Sequence, residues 1–141
     1  MSEHPIIQIE AIINAPKSLV WSAYNEPAHV VNWNAASDDW FCPQASNELR
    51  DGGRFNYRME ARDGSFGFDF TGTYVKVYTG ESLRYRLDDN RNVGVDFVDH
   101  GDQVCLVVRF EPEKENALEL QREGWQAILN RFKTYAESLV R

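Results

Sequence analysis

Apolar and polar residues alternate through Ile6–Ile13, with Ile7, Ile9 and Ala11 against Gln8, Glu10 and Ile12, and this predicts a first β-strand. Asn14-Ala15-Pro16 ends it. Pro16 then favours a helix start, and Leu19, Val20, Ala23 and Tyr24 recur at helical spacing. Pro27 breaks that helix and opens a short second one over Ala28–Asn32. From Trp33 to Ser46 no period survives, and the pattern predicts a long loop carrying Trp33, Trp40 and Phe41. Alternation returns over Arg54–Ala61, Phe66–Tyr78, Ser82–Asp88, Asn92–Val98 and Gln103–Glu111. Short separators rich in Gly, Asp and Asn lie between these segments, which is hairpin chemistry and implies an antiparallel meander.

Two features frame the meander. Before it stands Leu49-Arg50-Asp51-Gly52-Gly53-Arg54-Phe55, a glycine turn that opens directly into a half-apolar strand. After it, Leu118, Trp125, Ile128, Leu129, Phe132, Tyr135, Ala136 and Leu139 share one stripe of a long helix. Asn116 and Glu119 have the spacing of a capping box at its start. Gly124 inside the helix costs about 1 kcal/mol against alanine, which predicts a packing reason for it. The order strand, two short helices, meander and long helix defines an α+β fold. Its curved antiparallel sheet of about six strands is expected to wrap around the C-terminal helix.

Composition narrows the function classes. At 141 residues the chain fits one domain, residues 1–141, large enough for a real core. The net charge of −7, with no run of basic residues, excludes the phosphate neutralisation that nucleic acid or an anionic membrane surface demands. No apolar segment is long enough to insert across a membrane. Met1-Ser2-Glu3-His4-Pro5 lacks the pattern of a signal peptide, so a cytoplasmic location is expected. Cys105 reads as a small core residue and Cys42 as a loop residue open to solvent, with no nearby group to activate it. His4, His29 and His100 are too scattered for a metal site and read as surface or capping residues, so neither metal nor cofactor is expected. Motifs of nucleophilic hydrolases, P-loops and dinucleotide folds do not occur.

The chain resembles the START-like helix-grip superfamily, and specifically the family related to the C-terminal domain of the activator of Hsp90 ATPase. The likeness rests on Ile13-Asn14-Ala15-Pro16 with Val20-Trp21, then Pro27, His29 and Trp33, then the Leu49–Phe55 turn. Met59, Asp63-Gly64, Gly72-Thr73-Tyr74, Leu83, Tyr85 and Gly124-Trp125 with Leu129 and Tyr135 complete it in order. It departs at Trp33-Asn34, where many relatives carry two tryptophans, and has no counterpart of the co-chaperone's additional N-terminal domain. The resemblance implies a pocket for hydrophobic ligands between sheet and last helix.

Strand parity supplies the candidate walls of such a pocket. Phe55, Tyr57 and Met59 share a face, as do Phe66, Phe68 and Phe70, and Leu83 and Tyr85. Each is equally a core residue by type, but together they outnumber what a small core packs comfortably. Trp33 and Trp40 serve as lid or loop anchor, and Trp125 with Leu129 faces the sheet from the helix. The expected ligand-binding set is Trp33, Trp40, Phe55, Tyr57, Met59, Phe68, Phe70, Tyr85, Phe97, Trp125 and Leu129, without a catalytic residue. Asp69 alternates with the phenylalanines and reads as solvent-facing. The expected partner is a small hydrophobic molecule, aromatic or lipid-like. The alternatives are a chaperone-associated or stress-related adaptor for a protein partner, and an enzyme of cyclase or hydrolase type, which the resemblance also admits.

Overall fold

The computed structural model describes residues 5–140, so His4 lies outside the described residues. Its elements run β1 (Ile7–Ile13), α1 (Lys17–Asn25), α2 (Pro27–Trp33), β2 (Trp40–Asn47), β3 (Arg54–Ala61), β4 (Gly67–Tyr78), β5 (Ser82–Leu87), β6 (Asn92–Asp99), β7 (Val104–Phe110) and α3 (Leu118–Ser138). The strands form one antiparallel sheet in the order β1-β7-β6-β5-β4-β3-β2, with seven strands rather than about six.

The added strand is β2, inside the segment expected to be a loop. Its pattern is hard to read because Pro43 interrupts it and its register against β3 shifts between Phe41 and Gln44. An edge strand tolerates both, since only one side must complete a ladder. Trp33 closes α2 and Trp40 opens β2, so neither tryptophan sits on a free loop.

The Gly-Gly turn is a corner locked to the middle of β4. Gly52 adopts φ 82° and its N–H donates to the Tyr74 carbonyl at 2.7 Å, while Tyr74 N–H donates to the Gly53 carbonyl at 2.8 Å. Where the β4–β5 register shifts between Tyr74 and Lys76, the Asp51 carboxylate accepts the Val77 N–H at 2.8 Å and pairs with Lys76 at 3.1 Å. These contacts hold the Asp51 carboxyl below its usual range.

The N-terminus of α3 departs from the capping-box expectation. Ala117 occupies the cap position without a side-chain bond. Asn116 is instead drawn to the Glu113 carboxylate, which also accepts the Glu115 and Asn116 N–H groups at 2.6 and 2.8 Å. Buried Gln121 reaches back to pin this loop, donating to the Glu113 and Asn116 carbonyls at 3.0 and 2.8 Å. Leu118 is half-exposed, outside the apolar contact expected of it.

Placement of α3 along the sheet follows from the free edge of β1. Arg122, Gln126 and Lys133 donate to the carbonyls of Gln8, Glu10 and Ile12 at 2.8, 3.2 and 2.6 Å. Those acceptors are the ones no neighbouring strand uses, so the helix caps an edge that would otherwise recruit another strand. Anchored there, α3 presses Leu129, Phe132 and Ala136 into a core with Ile9, Ile13, Val20, Val30 and Leu106. Its N-terminal half leans over β3–β5 without filling the space beneath.

Several side chains differ from their expected setting. Cys42 is buried, 3% exposed, and burial pushes its thiol up to about 11. Cys105 is partly exposed, because its parity on β7 is opposite to that of Val104 and Leu106. His29 is no ordinary surface residue, since its Nδ1 lies 2.6 Å from the Tyr135 hydroxyl and ties α2 to α3. Asp69 faces outward beside Arg58, at 3.5 Å.

Candidate ligand-binding cavity

Beneath the N-terminal half of α3 lies a cavity of about 320 Å³. Register builds its floor by placing Tyr57 opposite Phe70, Met59 opposite Phe68, and Tyr74 opposite Tyr85. Phe55 sits opposite Gly72, and its ring is the hub of the wall, with centroids 5.1–5.3 Å from Tyr85, Tyr57 and Tyr74. Gly72 makes this possible. A Cβ there would stand 2.7 Å from both the Phe55 ring and the Arg86 carbonyl.

Trp125 closes the roof. It stacks on Phe110 at 3.8 Å with an interplanar angle of 9°, and meets Phe70 edge-on at 6.3 Å. Ile128 and Leu129 continue that surface along α3. The end wall is Trp33, whose indole N–H donates to the Ala23 carbonyl at 2.9 Å while its ring stacks on Tyr24 at 5.2 Å. Buried and fixed in this way, Trp33 is a wall and not a lid.

Of the residues expected from the sequence, Trp33, Phe55, Tyr57, Met59, Phe68, Phe70, Tyr85, Trp125 and Leu129 line the cavity. Phe97 and Trp40 do not. Phe97 is buried under α1 between Trp21 at 5.0 Å and Tyr24 at 5.6 Å. Trp40 packs behind the lining, on Phe66 and Phe68 at the β3–β4 tip, at 6.0 and 5.9 Å. Phe66 precedes β4 and packs beside Phe68 at 6.2 Å, but it is exposed and outside the cavity.

The expected set omits most of the polar lining: Tyr24, Asn25, Tyr74, Arg91, Glu113 and Gln121. Tyr74 was within reach of the sequence, since it shares parity with Phe70 and Gly72. Arg91 and Gln121 come from a hairpin turn and a helix start, and no local pattern joins them. Arg91 pairs with Asp89 at 2.8 Å, so the one cation of the lining is already neutralised. Among the described residues, no group of three His, Cys, Asp or Glu side chains is arranged to hold a metal.

Burial pushes the phenols of Tyr24, Tyr57, Tyr74 and Tyr85 up from their ordinary value of 10.0. At neutral pH they are protonated hydrogen-bonding groups, not bases. The linkage has a definite sign. The unfolded phenols ionise near 10.0 and the folded ones later, so this stability is complete below pH 10 and is lost as pH rises through the folded values. Urea unfolding midpoints are expected to fall steadily above pH 10, and Tyr85→Phe to flatten that fall.

Gly124 shows no packing reason, contrary to expectation. A Cβ there meets nothing within 4 Å, although Gln121, Trp125 and Ile128 around it all line the cavity. Gly124→Ala is therefore expected to raise stability by about 0.5–1 kcal/mol through helix propensity alone, read from the denaturation midpoint.

A curved antiparallel sheet closed over a long C-terminal helix, with a cavity between them, defines a helix-grip protein. The family model described as Activator of Hsp90 ATPase homolog 1-like protein matches residues 14–137, and the chain belongs to that family. Among solved structures, the AHSA1-like protein from Aeromonas hydrophila is 40% identical, with 96% of this chain and 94% of that one covered and a TM-score of 0.91. A protein from Cytophaga hutchinsonii is 44% identical over 95% of this chain and 93% of its own, with a TM-score of 0.82. A protein from Nitrosomonas europaea shares the fold at 15% identity, with 99% of each chain covered and a TM-score of 0.83. No curated protein matches the chain. No helix among the described residues is long and apolar enough to cross a membrane.

Proposed function

We propose that this protein binds a small, mainly apolar molecule, aromatic or lipid-like, between the sheet and α3. The observation that carries the reading is the cavity itself. Its volume of about 320 Å³ and its lining by Phe55, Phe70, Trp125 and Ile128 fit small-molecule sites, which run from about 300 to 1,000 Å³. A space of this size against so many rings is costly to leave empty, because each ring forgoes dispersion contacts on one side. The lower end of the size range points to a compact ligand.

Amide NMR titration with neutral aromatic compounds tests it. Shift changes are expected at Tyr57, Phe70, Tyr85, Trp125 and Leu129. Changes confined to Arg84, Asp96 and Arg109, which pair on the opposite sheet face, would overturn the reading.

A second reading is an adaptor for a protein partner, chaperone-associated or stress-related. It is favoured by the aromatic cluster at the β3–β4 tip, where Phe66 and Phe68 are 61% and 41% exposed against Trp40. Here Phe66→Ser is expected to abolish co-purification with a partner while leaving the ligand titration unchanged. Unaltered recovery of the partner would refute the role of this cluster.

A further inference from the structure

The polar atoms inside the cavity converge. Tyr24 enters from α1, Tyr57 from β3, Tyr74 from β4 and Tyr85 from β5, and all of them line the same space. Tyr74 and Tyr85 face each other across a register pair with ring centroids 6.3 Å apart. The hydroxyls of Tyr57 and Tyr74 both accept from Nδ2 of Asn47, at 3.4 and 3.3 Å. Asn47 is itself fixed by donating to the Asn25 carbonyl at 2.7 Å. The Tyr57 hydroxyl also donates to the Tyr74 hydroxyl, which leaves the Tyr74 proton to give.

Tyr24 and Tyr85 carry the stronger implication. Among the described residues, neither hydroxyl has a hydrogen-bond partner, nor is there any fully occluded side-chain polar atom without one. The two hydroxyls therefore meet the open space of the cavity, although Tyr85 as a residue is only 9% exposed. Buried phenols ordinarily find partners, so these two are placed for a group that arrives with the ligand.

The chemistry of that group follows from what surrounds it. The cluster offers neutral O–H donors and no free cation, because Arg91 is held by Asp89 and faces Glu113. A carboxylate would lose its hydration without gaining a counter-charge. A carbonyl or hydroxyl oxygen loses little and satisfies the waiting donors.

Resting on the small-molecule reading above, we propose that the cavity selects ligands carrying an uncharged oxygen, seated among the hydroxyls of Tyr24, Tyr57, Tyr74 and Tyr85, and disfavours carboxylates. The desolvation that raises the four phenols acts on any anion placed beside them.

Isothermal titration with four probes of one skeleton tests this. Benzophenone and diphenylmethanol carry the oxygen, diphenylmethane lacks it, and diphenylacetate carries a charge. The oxygen-bearing neutral probes are expected to bind about tenfold tighter than diphenylmethane, and diphenylacetate weakest of all. The double variant Tyr24→Phe, Tyr85→Phe breaks no protein hydrogen bond, so it should keep its melting temperature. In it, the preference for benzophenone over diphenylmethane should disappear. Equal affinity for benzophenone and diphenylmethane, or tightest binding by diphenylacetate, would overturn the selection and leave the cavity reading standing. No binding by any probe would overturn both.

Discussion

Gly53→Ala is expected to cost about 3 kcal/mol or more, close to the upper end for overpacking a fixed site. A Cβ at this position would lie 2.0 Å from the Glu48 carbonyl oxygen and 2.9 Å from its carbon. Backbone atoms cannot swing aside as a side chain can. Glu48 is also held, because its N–H donates to the Arg54 carbonyl at 2.9 Å. The neighbouring glycine supplies the control. At Gly52 a Cβ meets nothing within 4 Å, but φ is +82°, so Gly52→Ala pays only the left-handed backbone penalty of about 1–2 kcal/mol. Urea denaturation of the two variants should rank them in that order, and the reverse order would refute close approach as the reason for Gly53. Because the turn leads straight into Phe55, the damage at Gly53 should also reach the cavity wall.

The second large effect belongs to the opposite side of the cavity. Phe132→Ala is expected to cost about 3–5 kcal/mol, as for other fully buried aromatic rings. Phe132 is 0% exposed and meets Trp33 at 4.9 Å and Tyr24 at 5.2 Å, both edge-on. Those are the rings of the cavity's end wall, so their support goes with it. Probe affinity should fall further than the stability loss alone explains, which titration well below the melting temperature can separate. Leu118→Ala on the same helix is 50% exposed and should stay within about 0.5 kcal/mol of the parent.

Legibility from sequence differed between strands for physical reasons. β3 and β5 alternate cleanly because one face meets the core and the other carries Arg54 or Arg84 into solvent. β2 escaped because an edge strand is free to carry Pro43 and an irregular register. The capping pattern at Asn116 misled, since Glu113 and Gln121, three and five residues away, hold the same loop through local bonds that displace the capping box. In the cavity, parity alone placed Phe55, Tyr57, Met59 and Tyr85 correctly on the inner face. The same argument failed for Phe97, which faces inward beneath α1 rather than beneath α3.

Period and punctuation in the sequence therefore determined the order of every element but β2, the inner face of each clear strand and the corner role of Asp51-Gly52-Gly53. These are local properties, governed by pleat, helical turn and the conformations glycine permits. Tertiary structure decided where α3 rests, because Arg122, Gln126 and Lys133 find the free carbonyls of β1 from more than a hundred residues away. That anchoring leaves the space over β3–β5 unfilled. The curl of the sheet against α1 likewise brings hydroxyls from α1, β3, β4 and β5 into one cluster, a meeting that no period along the chain encodes.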